Sequence, residues 1–223
     1  MSPLEARGLH RFYRRGDGEV AALLDLSFSC SAGELVAVTG PSGSGKSTLL
    51  GLLAGLDDPD GGQVLIAGER ISHLGQGAAA RLRARRIGVM TQAASLLGHL
   101  TVLQNVRLAL SLRERGGSVG SGPSPEELLD GLGLGAVLRA RPGTLSGGET
   151  ARAGLAVALA GAPDVLLADE PTAEVSSEEE QQVLDLLVTW RPASGATVLV
   201  THSDTVAARA DRVLRLADGR LVA

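Results

Sequence analysis

The feature that most constrains this chain is a glycine-rich segment that contains its only lysine. Residues 40–48 read Gly-Pro-Ser-Gly-Ser-Gly-Lys-Ser-Thr, and Lys46 is the single lysine among 21 lysine and arginine residues. The spacing matches the phosphate-loop pattern G-x-x-x-x-G-K-[ST]. The apolar run Leu35–Thr39 precedes it as a short strand, and leucines at helical spacing follow it. Because backbone N–H groups at such a strand–loop–helix turn cradle anions, we predict a nucleotide-phosphate site.

Every residue of this segment is a candidate ligand, because the loop backbone would wrap around the phosphates. Lysine presents a compact charge on a slim stem, which can reach through a tight loop to the β- and γ-phosphates of ATP. A planar guanidinium would fit that loop poorly. The hydroxyl of Ser47 is also expected to contact Mg²⁺. The predicted ligands are Gly40, Pro41, Ser42, Gly43, Ser44, Gly45, Lys46, Ser47 and Thr48.

Length and composition restrict the class of protein. A chain of 223 residues allows one domain or two small ones, and its net charge of −4 argues against a nucleic-acid partner. Cys30 is the only cysteine, so neither an intrachain disulfide nor a cysteine zinc site is possible. No apolar run is long enough to span a bilayer, and the N-terminal residues lack the apolar segment of a signal peptide. We therefore expect a cytoplasmic chain.

The periodicity of apolar residues predicts a parallel α/β sheet interrupted by a helical insertion. Strands and helices alternate at both ends of the chain, whereas residues 93–161 show no strand pattern. We therefore predict an α/β core formed by residues 1–92 and 162–223, with residues 93–161 as a helical subdomain. The predicted strands are residues 23–28, 33–39, 63–66, 87–90, 165–168 and 197–200, with a terminal hairpin of 212–216 and 220–222. The longer predicted helices are residues 74–86, 101–113, 148–161 and 178–190.

A second motif, Leu145-Ser146-Gly147-Gly148-Glu149, also predicts an anion-binding helix start. One nucleotide cannot easily touch two such starts that lie far apart in the chain and in different subdomains. The simplest arrangement is a head-to-tail dimer, in which Ser146, Gly147 and Gly148 of one chain face the γ-phosphate held by Lys46 of the other. The alternative is that Ser146 only caps a helix.

With both motifs in place, the chain resembles the nucleotide-binding subunit of ATP-binding-cassette transporters along nearly its whole length. The resemblance implies a P-loop NTPase fold with a RecA-like parallel sheet core, an antiparallel β part and an inserted helical subdomain. Residues 165–170 resemble the Walker B strand, which implies that Asp169 holds Mg²⁺ and that Glu170 orients the attacking water. Gln92 matches the glutamine that contacts Mg²⁺ or the water. His202 matches the histidine that hydrogen-bonds the γ-phosphate.

The resemblance also implies that an aromatic residue ahead of the first strands stacks on adenine. Tyr13 is the candidate, and the neighbouring Phe12 is the alternative. Within the family, residues 51–57, 95–97 and 100–106 resemble the lipoprotein-release, macrolide-export and cell-division ATPases. The chain departs from the family at position 176, where Ser176 replaces the usual aspartate, and also at Gly98 and residues 150–151. Because serine carries no charge, weak cooperativity between the two ATP sites is expected.

The resemblance implies an ATPase with ATP and Mg²⁺ as ligands. Its implied partners are a second ATPase subunit, identical or a paralogue, and integral membrane permease subunits. The implied location is the inner face of the cell membrane, as a peripheral protein. The alternatives are a soluble cassette ATPase without a transporter, a membrane mechanotransmission ATPase that moves no substrate, or a module that binds ATP without turnover. Zinc modules or long insertions, typical of the soluble relatives, are not evident in the sequence, and Glu170 and His202 argue against a module without turnover.

Overall fold

The computed structural model of the chain describes residues 2–16, 18–91, 96–116 and 122–222. The strands are β1 Leu4–Arg15, β2 Gly18–Cys30, β3 Leu35–Thr39, β4 Gly61–Ile66, β5 Glu69–Arg70, β6 Ile87–Met90, β7 Val165–Asp169, β8 Ala196–Val200, β9 Arg212–Ala217 and β10 Arg220–Val222. The helices are α1 Lys46–Leu53, α2 Gln76–Arg86, α3 Val102–Arg115, α4 Pro125–Gly131, α5 Gly147–Leu159, α6 Ser177–Trp190 and α7 Asp204–Ala207. Two short 3₁₀ turns, Gly135–Val137 and Pro142–Thr144, precede α5.

Six strands form the central sheet in the order β10-β9-β3-β8-β7-β6. The pairings of β3 with β8 and β9, of β7 with β8 and of β6 with β7 are parallel, and only β10 runs antiparallel to its neighbour. Parallel strands place their carboxyl ends along one edge of the sheet, where ligands of open α/β folds bind. The loops after β3, β7 and β8, which carry the phosphate loop, Glu170 and His202, therefore meet at this edge.

The central sheet separates two apolar cores, because successive strand residues face opposite sides. In β7, Val165 and Leu167 contribute to a core shared with α1 and the antiparallel sheet, whereas Leu166 and Ala168 contribute to a core shared with α3, α4, α5 and α6. Strands covered on both faces appear in the sequence as unbroken apolar runs, which is why these central strands were predicted well.

A second sheet is antiparallel and has the strand order β2-β1-β4-β5. Its strand β1 was not predicted, and Tyr13 lies inside β1 rather than ahead of the first strands. The alternation of apolar residues is lost because the pairing of β1 with β2 shifts register between Ala6 and Leu9 and again around Arg11. Gly8 has a φ of 55°, a left-handed conformation that glycine tolerates, at the first of these irregularities.

The described residues of the middle region, 96–116 and 122–161, contain helices and 3₁₀ turns and no strand. Helix α3 is capped by Thr101, the first residue of the predicted helix 101–113, whose side chain accepts a hydrogen bond from the Gln104 backbone. Arg113 near the end of α3 is 5% exposed and donates to the carbonyl oxygens of Arg85 (3.0 Å) and Ile87 (3.2 Å). Burial lowers the pKa of Arg113 to about 10, so it remains a cation at neutral pH and ties α3 to the α2–β6 junction.

Helix α2 carries four arginines, Arg81, Arg83, Arg85 and Arg86, and most of them bind other groups of the chain. Arg83 donates to the carbonyl oxygen of Gly55 at the end of α1 (2.9 Å), and Arg85 and Arg86 both pair with Glu69. These pairs, led by the hydrogen bond from Arg86, hold the pKa of Glu69 below its usual value. Three of the four side chains are therefore engaged within the chain, and only Arg81 is highly exposed.

Among the residues that the structure describes, no helix combines the length and the apolarity needed to cross a membrane.

Candidate active site

The phosphate loop connects β3 to α1 in a conformation that requires glycine. Gly40, Gly43 and Gly45 have φ values of 154°, 81° and 107°, and Gly45 is the residue that caps α1. A Cβ atom on Gly40 would lie 2.1 Å from the Leu216 carbonyl oxygen, and one on Gly45 would lie 2.4 Å from that of Ala22. Strands β9 and β2 thus press against the loop, which leaves its backbone close-packed at the N-terminus of α1. Such a turn fits an anionic phosphate.

Lys46 folds back over the loop that precedes it. Its ammonium donates hydrogen bonds to the carbonyl oxygens of Gly40 (2.7 Å) and Pro41 (2.9 Å). Ser44 is 3% exposed, and within the described structure its hydroxyl makes no hydrogen bond. The loop therefore holds a cation and a buried hydroxyl next to the helix start.

A cleft runs from this loop to the ends of β7 and β8 and to β1 and β2. It brings Asp169 and Glu170 to the same surface as Lys46 and Ser47. The pKa of Asp169 is raised, chiefly by burial and then by the neighbouring Glu170, while Lys46 opposes the shift. Because its own charge is disfavoured, this carboxylate would gain from a cation. Carboxylate and hydroxyl oxygens are the ligands that Mg²⁺ prefers, so Asp169 and Ser47 fit such an ion.

Glu170 is held in a strained and closely defined position. Its φ of 45° is rare for a residue with a side chain, and its amide donates to the carbonyl oxygen of Val200 (2.9 Å). One carboxylate oxygen lies 2.8 Å from Nδ1 of His202, and the other accepts a hydrogen bond from the hydroxyl of Thr201 (3.1 Å). The Glu170 side chain is 15% exposed, whereas that of His202 is 74% exposed.

Thr201 is a site residue that the sequence analysis missed. It is buried, and besides bonding Glu170 it accepts a hydrogen bond from the Ser203 amide (3.0 Å). Its position directly before His202, at the end of β8, was a usable signal. Strands β7 and β8 pair in parallel with Asp169 opposite Val200, so the residues that follow each strand are neighbours.

Tyr13 and Phe12 lie on opposite faces of β1, and Tyr13 is the one that borders the cleft. The Tyr13 hydroxyl donates to Asp57 (3.1 Å), and the Arg11 guanidinium lies 4.7 Å from the centre of its ring. Phe12 instead stacks on His10, with ring centres 6.4 Å apart. Tyr13 is thus the better placed of the two aromatics for adenine, and this role stays a prediction.

The second predicted anion site lies at the start of α5 but does not border the cleft of its own chain. Ser146 caps α5: its hydroxyl accepts from the Glu149 amide (3.1 Å), and the Glu149 carboxylate accepts from the Ser146 amide (2.8 Å). A Cβ on Gly147 would lie 2.5 Å from the Glu174 carbonyl oxygen. The start of α5 therefore packs against the loop that follows Glu170.

The predicted residue Gln92 lies outside the described residues. Thr91, just before it, borders a small cavity together with Gly147 of α5 and Glu170. Glu170 also borders the cleft at the phosphate loop, so it lines both the cleft and the small cavity. Ser176 begins α6 as its cap, accepting from the Glu179 amide (3.4 Å).

The chain matches known proteins over nearly its full length. The family model described as ABC transporter matches residues 23–173. The chain is 41% identical to the uncharacterized ABC transporter ATP-binding protein YbbA of Escherichia coli over 98% of this chain and 96% of that protein. It is 40% identical to the lipoprotein-releasing system ATP-binding protein LolD of Pseudomonas fluorescens, over 99% and 97% respectively.

A third relative, the macrolide export ATP-binding/permease protein MacB of Pasteurella multocida, is 38% identical over 99% of this chain but only 34% of its own length. Among solved structures, the dimeric ATP-binding cassette MJ0796 bound to ADP and Pi superposes with a TM-score of 0.86 and 30% identity, covering 99% of this chain and 97% of that one. These matches confirm the predicted P-loop NTPase fold and the resemblance drawn from the motifs. The chain belongs to the ABC transporter family, as one of its ATP-binding and ATP-hydrolysing subunits.

Proposed function

We propose that this chain closes head to tail on a second cassette, identical or a paralogue, and that closure around two ATP molecules drives integral membrane permease subunits. The observation that carries the dimer is the separation of the two anion sites. Ser146, Gly147 and Gly148 begin a helix that does not line the chain's own cleft and packs on the loop after Glu170. The similar cassette MJ0796 is dimeric, which supports dimerisation of this chain.

Within each cleft, the phosphate loop and Lys46 would hold the β- and γ-phosphates. Ser47 and Asp169 would hold Mg²⁺, with Gln92 as a further ligand, and the ion would neutralise charge that develops on the phosphates. Tyr13 would stack on adenine, which gives affinity through the π-face of the base. Residues 1–92 and 162–223 would form the core that binds ATP. Residues 93–161 would present the start of α5, the Ser-Gly-Gly turn, to the ATP of the partner.

Glu170 would orient the attacking water and accept its proton. Thr201 and His202 hold its two carboxylate oxygens and would keep it aimed at the phosphate. With Nδ1 of His202 directed at Glu170, the imidazole would contact a phosphate oxygen through Nε2.

Loss of the ammonium tests the phosphate assignment. Lys46→Ala should weaken ATP binding about 10- to 100-fold, since a charge-assisted hydrogen bond contributes about 1.5–3 kcal/mol. A fluorescent ATP analogue titrated into wild type, Lys46→Ala and Lys46→Arg measures this. Unchanged thermal unfolding of Lys46→Ala controls for folding, and Lys46→Arg separates charge from shape. Equal affinities of all three proteins for the ATP analogue would show that Lys46 does not contact the phosphates.

Purification from membranes tests the transporter role. A tagged chain expressed in its native host should sediment with membranes. After mild detergent extraction it should retain an integral membrane protein. Addition of that membrane protein in lipid should change the ATPase rate of the chain. A chain that stays entirely in the soluble fraction and hydrolyses ATP without a membrane partner would favour the soluble-ATPase alternative.

A further inference from the structure

The carboxylate of Glu179 lies against the first turn of α5. A Cβ atom on Gly148 would sit 2.3 Å from Oε1 and 2.6 Å from Cδ of Glu179. Oε1 is also 3.5 Å from the Ser146 hydroxyl, at the outer limit for a hydrogen bond. An anionic group of α6 therefore lies over the Ser-Gly-Gly turn, in the space that a side chain at position 148 would occupy.

Glu179 is held in this place by the cap of its own helix. The Ser176 hydroxyl donates to Oε2 (3.2 Å) and accepts from the Glu179 amide (3.4 Å). An aspartate at position 176 would have no hydroxyl to donate and would bring a second negative charge to this carboxylate. Ser176, which departs from the family pattern, therefore stabilises the Glu179 carboxylate, whereas an aspartate would repel it.

The first turn of α5 attracts anions for two reasons. The first N–H groups of a helix lack partners inside the helix, and the aligned peptide dipoles place partial positive charge there. In this chain two side-chain anions lie near the turn: Glu149, which is bound to the Ser146 amide as part of the cap, and Glu179, which comes from α6. In the closed dimer of the proposed function, the same turn faces the γ-phosphate of the partner's ATP. Two anions cannot share the turn at hydrogen-bond distance without strong repulsion.

We propose that Glu179 competes with the partner's ATP for the signature turn, which is the start of α5 at Ser146–Gly148. Glu179 occupies this turn in the free chain and has to withdraw when the partner's ATP docks. Glu179 then opposes ATP-driven dimerisation and leaves ATP loading of the single chain unaffected. This inference rests on the head-to-tail dimer proposed above.

The test uses Glu179→Gln, which keeps the size of the side chain and removes its charge. Both Glu179→Gln and a control, Glu178→Gln, are made in the Glu170→Gln background, which is expected to retain ATP-bound dimers. Glu178 is exposed and lies on the same turn of α6, so its replacement removes the same charge without touching α5. Sedimentation in ATP gives the dimer dissociation constant, and ATP titration of dilute chain gives the affinity of the monomer.

Glu179→Gln should lower the dimer dissociation constant about 4- to 25-fold, because each of two turns gains the usual helix-dipole effect of about two- to fivefold. Glu178→Gln should change it less than about twofold, as expected for a screened surface charge. Monomer affinity for ATP should be equal in all variants. If the parent dimerises and the two variants match, the inference is wrong while the proposed function stands. If the parent stays monomeric with ATP, the homodimeric form of the proposed function fails, the paralogue form remains, and the inference for the dimer of this chain fails.

Discussion

Glu170→Gln should slow ATP hydrolysis about 10²- to 10⁴-fold while leaving ATP binding nearly intact. The amide keeps the shape of the side chain and can still occupy the position between Thr201 and His202. It cannot accept a proton from the attacking water. In the proposed function ATP holds the dimer closed, so slower hydrolysis should let ATP-bound dimers accumulate.

Steady-state phosphate release and gel filtration with ATP measure the two parts of this prediction. Thermal unfolding close to that of wild type would show that the strained backbone at Glu170 tolerates the change. Turnover at the wild-type rate, with only monomer in the presence of ATP, would mean that another group activates the water.

Ser146→Arg should reduce hydrolysis about 100-fold or more, since displacement of reacting groups by even 1 Å can have that effect. Ser146 does not border its own cleft, so the isolated variant should load ATP as wild type does. The arginine would instead obstruct the turn that faces the partner's phosphate, and the dimer should fail to close.

A matched control is available in Ser124, which caps α4 with the same reciprocal arrangement, its hydroxyl accepting from Glu127 and its amide donating to the Glu127 carboxylate. Ser124→Arg removes an equivalent cap, which typically destabilises by about 1 kcal/mol, and leaves the signature turn untouched. Hydrolysis should survive in Ser124→Arg and be lost in Ser146→Arg. Equal losses of hydrolysis in the two variants would mean that Ser146 acts only as a helix cap. Loss of ATP affinity in Ser146→Arg would mean that Ser146 belongs to the ATP site of its own chain.

Sequence patterns predicted the structure best where the residues that form a feature are contiguous in the chain. The phosphate loop, the apolar strand β7 and the cap at Thr101 each depend on neighbours within a few residues, so their structure follows from spacing and side-chain type. Strand β1 was not predicted, because its irregular register with β2 breaks the alternation of apolar and polar residues that marks a strand. The weak cooperativity expected from Ser176 stays a prediction.

The sequence by itself determined the fold class, the motifs that flank the cleft and the family, because each is written in a short stretch of chain or in the order of such stretches. Only the tertiary structure decided which distant groups meet. Parallel pairing of β7 and β8 brings Thr201 to Glu170, and the packing of α6 on α5 brings Glu179 to Gly148. Contacts of this kind depend on how whole elements pack, and no local spacing encodes them.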